Sequence, residues 1–533
     1  VRPDLVLLNA RIATMDAARP AAEALAIGDG RILALGTSAE MRGLGAARVI
    51  DAGGRRCLPG FVDAHIHFAD GGFDRVASAA LFEAVTAEDL IARLAAHAAD
   101  SGLPLVQGTG WQPGLFGDHN LTARVLDRAV PDRPCLAYDS SFHNACLNSA
   151  ALAMAGIGIE TPDPPNGRIV RDAGGQPTGM LHEDAIPFFR ARLPPVTDAQ
   201  RAQGLRAALA HAARHGITGV LDPKVEDMHR RLYAQAAAEG WLTVRTAGAI
   251  WIGPDEAVED AMQRVLDWRA EARGFRLHSA KLFLDGVIEN GTAAMLAPAA
   301  DTGLNAPVMF ARGHLERLAA ALDAARVQLH MHAIGDAAVR AGLDAVAAAR
   351  TANGPWPALH QIAHVQMLDP ADAPRFASLG AMANIQPFWA RRDPVVPDDW
   401  LKAVGSAREP GVYAFRTLAR HGARMCLSSD WPVSTLAPLE IIATAMSRAA
   451  PGGVPFHPAE RLTLAEALLG YTAEAAAAAW MPEAGRLSPG LSADLVLLDR
   501  DPMTLAPDAI AATAVDLTLY RGRETHRAPH FDG

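Results

Sequence analysis

His65 and His67 stand two residues apart in LPGFVDAHIHF, a spacing that on a β-strand turns both imidazoles to one face. Two imidazoles on one face can chelate a metal ion. Alone the pair carries little weight, because 19 histidines in 533 residues yield about one such spacing by chance, and His330/His332 repeats it. The positions of the other candidates give it meaning. His332 closes the apolar run VQLHMHAIGD, His364 lies in LHQIAHVQ and Asp430 closes ARMCLSSDWP. Imidazole nitrogens and a carboxylate from four separate runs suit a cation such as Zn²⁺ and leave a position open for water. A structural zinc site would more often use cysteines. The four present, Cys57, Cys135, Cys146 and Cys426, are scattered without a C-x-x-C pair and read as reduced, buried thiols.

Lys281 lies among apolar neighbours in SAKLFLDG. A buried ammonium either loses its proton or acquires an anionic partner. A neutral amine there can add carbon dioxide to become a carbamate, a two-oxygen ligand that bridges cations about 3.5–4 Å apart. The alternative is an ion pair with Asp285 or Glu289. His330 alternates with His332 on one run and reads as a supporting or core residue. His211 and His215 have the i, i+4 spacing of a helical zinc pair, but HAARH lacks the glutamate of H-E-x-x-H and reads as helix surface. Asp336 reads as a helix cap. Trp111 and His143 are candidate substrate contacts, each with a purely structural role as its alternative.

The elements that must position these groups form a repeating pattern. GFVDAHIHF, GITGVLDP, LTVRTAGAI, LHSAKLFLDG, VQLHMHAIGD, LHQIAHVQ, GAMANIQP and ARMCLSSDWP are eight β-type runs, most of them separated by Ala-rich helical stretches. That is the pattern of an α/β chain closing a (β/α)8 barrel of the TIM type, whose active site lies at the C-terminal strand ends. TDAQRAQGLRAALAHAARH predicts one of the helices, with Thr197 as its N-cap. Residues from about 69 to 205 exceed a single helix and contain the hairpin signal NGRIVRDAGGQPTGML, so they predict an insertion after the first barrel strand, folded over the barrel mouth. Residues 1–59 and 484–533 are short, β-rich and punctuated by Gly and Pro. Each is too small to bury its own core, so the two are expected to pair beside a barrel of residues 60–483.

Composition narrows the partners. Lys plus Arg is 49 against 59 for Asp plus Glu, a net charge of −10, and no basic cluster is long enough to follow a phosphate backbone. Nucleic acid is therefore not expected. No run of about 18 uncharged apolar residues predicts a membrane span, and the first residues have too short an apolar stretch for a signal peptide. The cytoplasm is the expected compartment, and a small molecule the expected partner.

Seven motifs in chain order carry a resemblance: LPGFVDAHIHF, VPDRPCLAYDSSFHNACLNSAAL, NGRIVRDAGGQPTGMLHEDA, SAKLFLDG, HAIGDAAV, IAHVQ and SSDWPV. With them the chain resembles, along nearly its whole length, the metal-dependent amidohydrolase superfamily and its YtcJ-like branch, amidohydrolase family 3. The resemblance implies a barrel plus a composite β-sandwich built from both termini, and hydrolysis of an amide-type C–N bond. It places metal ligands at His65, His67, Lys281, His332, His364 and Asp430, selecting His332 over His330, and implies a homodimer. Three departures stand out. Gln112 occupies a position that is frequently Asp in the family, VIENGTA follows SAKLFLDG in place of a Ser-Arg-Thr-Ala type of segment, and His182 replaces a more usual Lys.

On this resemblance His65, His67 and Asp430 hold one Zn²⁺, His332 and His364 hold a second, and carboxylated Lys281 bridges them. A bound Zn²⁺ brings the pKa of water to about 7. Asp430 is then the catalytic residue, taking a proton from water and returning it to the leaving nitrogen. Aromatic residues near strand ends, Phe68, Trp251, Phe283, Phe388, Trp389 and Trp431, favour an apolar or aromatic substrate such as an N-acyl or N-formyl amine, a cyclic amide or a carbamate. No Arg/Lys cluster at the strand ends points to a phosphorylated one. The competing readings are a mononuclear aminohydrolase that deaminates a heterocycle with Lys281 unmodified, a non-catalytic regulator on the same scaffold, and a metal-dependent lyase or isomerase.

Overall fold

The computed structural model describes residues 2–116, 120–272, 274–392 and 400–533. The eight expected runs are eight strands: β1 (Phe61–Asp63), β2 (Ile217–Val225), β3 (Arg245–Trp251), β4 (Phe275–Phe283), β5 (Gln328–Ala333), β6 (Gln361–His364), β7 (Met382–Ile385) and β8 (Arg424–Leu427). They pair in chain order, every pair parallel. Such strands are covered on both faces, which is why they read as near-continuous apolar runs, and every residue of β5, β6 and β7 is buried. The result is an α/β fold with a nearly closed eight-stranded barrel.

Closure is local. Between β1 and β8 no ladder forms among the described residues, and single hydrogen bonds bridge the gap. The Asp430 N–H donates to the His65 carbonyl at 2.8 Å, and the His67 N–H donates to the Trp431 carbonyl at 2.9 Å. The buried Asp63 carboxylate accepts from the N–H groups of Ser429 and His65, each at 3.2 Å. Asn384 on β7 adds a side-chain donor to the Ala64 carbonyl at 2.9 Å.

Helix α1 (Phe68–Ala77) starts directly after His67 and packs on α2 (Asp198–Arg214). The latter is the helix that TDAQ predicts: Thr197 and Gln200 satisfy each other's backbone N–H groups in a capping box. The two helices touch at glycines. A Cβ on Gly72 would lie 2.3 Å from the Gly204 carbonyl oxygen, and one on Gly204 would lie 2.6 Å from the Phe73 backbone. His211 on α2 is not plain surface, because it is half-buried with its ring 5.8 Å from that of Trp431. The expected cap at Asp336 also differs. Helix α3 (Asp336–Asn353) has Gly335 as its N-cap, and the Asp336 carboxylate instead accepts the Leu296 N–H at 2.8 Å.

Between α1 and α2 the chain builds a six-stranded sheet in the order Gly167–Arg171, Pro177–Glu183, Asn144–Leu147, Cys135–Asp139, Val106–Trp111, Ser78–Ala80. The hairpin signal is its first two strands, paired antiparallel. Two further sheets draw on the ends of the chain. One joins Leu5–Leu8, Ala24–Gly28, Arg31–Gly36 and Arg48–Asp51, with a hairpin turn at Asp29 and Gly30, where φ is +51° and +72°, as a type I′ turn requires. The other places Leu495–Leu498 antiparallel to Arg56–Pro59, so the two termini share one ladder. Leu7, Ile27, Ile50, Leu497 and Leu517 belong to one buried cluster that spans both sheets. All four cysteines are free and buried. No helix among the described residues is long and apolar enough to cross a membrane.

The glycine contact between α1 and α2 sets the path of the helix that leaves His67. Gly72→Val is expected to cost about 1–3 kcal/mol through overpacking, read as a lower urea midpoint with an unchanged slope.

Candidate metal centre

His65, His67 and Asp430 meet at the barrel seam. The Nε2 atoms of His65 and His67 lie 3.4 and 3.3 Å from the same oxygen, Oδ1 of Asp430. Their ligand atoms all fall within 4.8 Å of one another, the one such three-donor group among the described residues. Asp430 reaches this position from a left-handed backbone, φ +53°, and His364 does the same at +79°. Side chains at strand ends are re-aimed by such conformations, which cost energy and cluster at functional sites.

The remaining candidates gather around this group without joining it. The His364 ring lies 4.8 Å from that of His65 and 4.4 Å from that of His332. Its Nδ1 faces the Gln386 Oε1 at 2.9 Å and its ring stacks on Trp389. His332 stacks on Phe283 at 4.1 Å, with its Nε2 3.2 Å from the Gly286 carbonyl. Lys281 is 0% exposed, and its Nζ has no hydrogen-bond partner. The ion pair with Asp285 considered for it does not form. That carboxylate is taken by the N–H groups of Ala294, Ile334 and Gly335, at 2.9, 3.0 and 2.8 Å. Glu289 lines the cavity above and makes no ion pair with Lys281.

Burial sets the charge states. It drives His65 and His332 well below the usual imidazole range, helped by neighbouring positive groups, and His364 down to about 3 against the pull of Asp430. It lowers the Lys281 ammonium to about 7 against the pull of Asp430. Burial alone would raise Asp430, but the nearby His67, with His364 and Lys281, holds its carboxyl below the usual range. His65, His332 and His364 are therefore held neutral around one carboxylate, whose buried Oδ1 faces two imidazole nitrogens without the geometry of a hydrogen bond. An orphaned anionic oxygen facing nitrogen lone pairs is the donor set a divalent cation takes, so the residues fit a metal ion.

Over the centre opens a cavity of about 900 Å³, roofed by the insertion. Its roof presents His143, whose Nδ1 pairs with the Glu183 carboxylate at 2.7 Å. The other Glu183 oxygen accepts from Thr292 at 2.8 Å and Asn290 at 3.4 Å, both in the VIENGTA segment that departs from the family pattern. Burial works to lower His143, but Glu183 outweighs it and raises the imidazole to about 9. Trp111 does not reach the cavity. It is 1% exposed, packs edge-on to Phe116 and donates to the Ala137 carbonyl, inside the core of the insertion, while its neighbour Gln112 lines the wall.

Of the expected aromatic lining, Trp251, Phe283 and Trp389 are present. Phe68 and Trp431 pack on each other in the barrel core, and Phe388 lies off the wall. Tyr138, Phe142, Trp400 and Tyr413 line it instead. The wall is also less apolar than the strand ends imply, since Asp70, Asp74, Arg190 and Arg201 reach it from helices and the insertion. Glu183 is the part of the site that the sequence does not reveal, whereas His330, read as a supporting or core residue, lies behind His65. Nothing in HEDA marks that glutamate.

A barrel with histidines and an aspartate gathered at its mouth has the architecture of a metal-binding barrel site. The chain belongs to the amidohydrolase family, whose sequence model matches residues 48–526, and to the YtcJ-like branch that its motifs resemble. It is 29% identical to an N-substituted formamide deformylase of Arthrobacter pascens over 97% of both chains. It is 31% identical to the exoenzymes regulatory protein AepA of Pectobacterium carotovorum over 72% of this chain and 84% of that one. The crystal structure of an uncharacterized metal-dependent hydrolase from Pyrococcus horikoshii shares the fold with a TM-score of 0.77 at 23% identity, covering 95% of this chain and 99% of the other.

Asp63 ties the strands that carry both ends of this group. Asp63→Ala leaves the N–H groups of Ser429 and His65 without their acceptor, at about 1–3 kcal/mol for each buried orphan. The expected outcome is a lower melting temperature together with weaker Zn²⁺ uptake, with Asp63→Asn intermediate in both.

Proposed function

We propose that this chain is a metal-dependent hydrolase that cleaves an amide-type C–N bond in a small molecule with an apolar or aromatic N-substituent. The observation that carries it is the orphaned Asp430 oxygen facing His65 and His67 at the mouth of an amidohydrolase-family barrel. His65, His67 and Asp430 would hold one Zn²⁺ and His332 and His364 a second, with carboxylated Lys281 between them. Such ions supply Lewis acidity, making water acidic near neutral pH and polarising a carbonyl oxygen.

The protein's own groups do the rest. Asp430 is the catalytic residue: its carboxylate accepts a proton from the water that adds to the carbonyl carbon, then returns it to the nitrogen as the C–N bond breaks, leaving an amine and a carboxylic acid. His143, held by Glu183, is placed to donate a hydrogen bond to the bound substrate. Trp251, Phe283 and Trp389 give the N-substituent flat apolar surfaces and keep bulk water from the reacting carbonyl. The deformylase relative supports N-formyl amines as the first compounds to try. The likeness to AepA favours a second reading, a regulator without catalysis, against which the complete donor set weighs.

Zinc-replete protein is expected to hydrolyse at least one member of a panel of N-formyl amines, N-acyl amines, cyclic amides and carbamates. Asp430→Asn with verified zinc content should lose about 10²–10⁴ in kcat. Wild-type turnover in that variant, or no hydrolysis across the panel, refutes the proposal. Elemental analysis is expected to find two zinc ions per chain, falling to one or fewer in Lys281→Met. Because only the neutral amine reacts with carbon dioxide, and its fraction rises as pH climbs through about 7, reconstitution with bicarbonate should proceed further at pH 8 than at pH 6. One ion per chain with Lys281 unmodified would identify the mononuclear alternative.

A further inference from the structure

His330 has no role in the chemistry above, yet it is buried at the heart of the barrel. It precedes His332 by two residues on β5, so both rings turn inward, and it is 0% exposed. Its Nε2 lies 2.9 Å from the Nδ1 of His65, with ring centres 4.8 Å apart. The other nitrogen of His65 is the one that faces Asp430. The remaining nitrogen of His330, Nδ1, is buried with no hydrogen-bond partner.

A neutral imidazole carries one N–H and one lone pair, and which nitrogen holds the hydrogen is set by the partner of the other. For His65 to present its Nε2 lone pair to a cation, its Nδ1 must carry the hydrogen and donate it. The Nε2 of His330 is the acceptor within reach, and in accepting it must leave its own hydrogen on Nδ1, where nothing receives it. A leucine at this position would fill the space without stranding a polar group. The stranded N–H is thus the cost of keeping an acceptor behind His65. His330 cannot itself serve as a ligand through Nε2, because that atom is already engaged.

We propose that His330 is a positioning residue that holds His65 in the Nδ1–H tautomer and so aims its Nε2 lone pair at the cation site. This rests on the metal-site reading above, and its test reads metal binding instead of turnover. Outer partners of ligating histidines, when removed, commonly cost 10–100-fold in metal affinity.

The test uses the full chain, stripped of metal, with Zn²⁺ titrated against a chromogenic chelator. The variants are His330→Leu, which removes the acceptor, and His330→Gln, whose side-chain oxygen can restore it. The expected result is a loss of about 10–100-fold in Zn²⁺ affinity for His330→Leu and affinity within about three-fold of wild type for His330→Gln, with thermal unfolding of the metal-free forms confirming the fold. Unchanged affinity in His330→Leu overturns the proposal. So does a folded His330→Gln variant at least ten-fold weaker than wild type. Should His330→Leu fail to fold, His330→Gln decides by the same two limits. A wild-type chain that takes up no Zn²⁺ overturns both the metal site and this role. Zinc uptake without turnover on any amide overturns the hydrolase assignment alone.

Discussion

The carboxylate of Asp63 spans the place where the barrel fails to close by strand pairing. It is fully buried, and burial lifts it to about 7 against the N–H groups of Ser429 and His65 that stabilise its charge. Ser429 is the neighbour of the candidate ligand Asp430, and His65 is a candidate ligand itself. The same bonds that draw β1 and β8 together therefore bring His65, His67 and Asp430 within 4.8 Å, although more than 360 residues of chain separate them. In a barrel sealed by a regular ladder these backbone groups would be spent on strand pairing. Here they are held by a side chain, and the side chains beyond them converge on the mouth.

The interior behind the ligands is filled with neutral polar groups. Gln328, Gln361, Asn384 and Gln386 form a chain of side-chain amides across β5, β6 and β7, with Ser279 and Ser428 at its ends. Amides satisfy one another in low dielectric without the desolvation penalty of ions. From Gln386 the chain also branches to His364, whose Nδ1 it occupies, leaving the opposite nitrogen for the centre. At the other end of the strands Arg245 on β3 reaches Asp494 and Glu483, tying the barrel to the C-terminal part of the chain.

Much of this was legible in the residues. The eight strands, the α2 helix with its Thr197 cap, the insertion hairpin and the pairing of the two ends all follow from local patterning, because apolar period, capping chemistry and turn residues act over a few positions. His65, His67 and Asp430 were legible because strand ends of a barrel must converge. What escaped depends on packing between distant segments. Trp111 and Gln112 are adjacent on one strand, and whether the ring or the amide meets the cavity is set by the face the insertion buries. For Lys281 the apolar neighbours left a neutral amine and an ion pair both open, and the choice is made at a distance, because Asp285 is claimed by three backbone N–H groups from the loops after β4 and β5. The hold of Glu183 on His143 likewise joins residues about 40 and 110 positions from their partners.

That hold limits what can vary above the metal-binding residues. The ceiling over the reaction chamber is a separately hydrogen-bonded sheet, and the seam beneath it owes little to that sheet. Swapping or reshaping the ceiling would alter which compounds fit while leaving the floor intact. Glu183 is the exception, since it is gripped from below by Thr292 and from its own side by His143. The barrel loop at 287–293 and the insertion are therefore coupled through one carboxylate, and a chimera that exchanges one without the other loses the orientation of its ceiling imidazole.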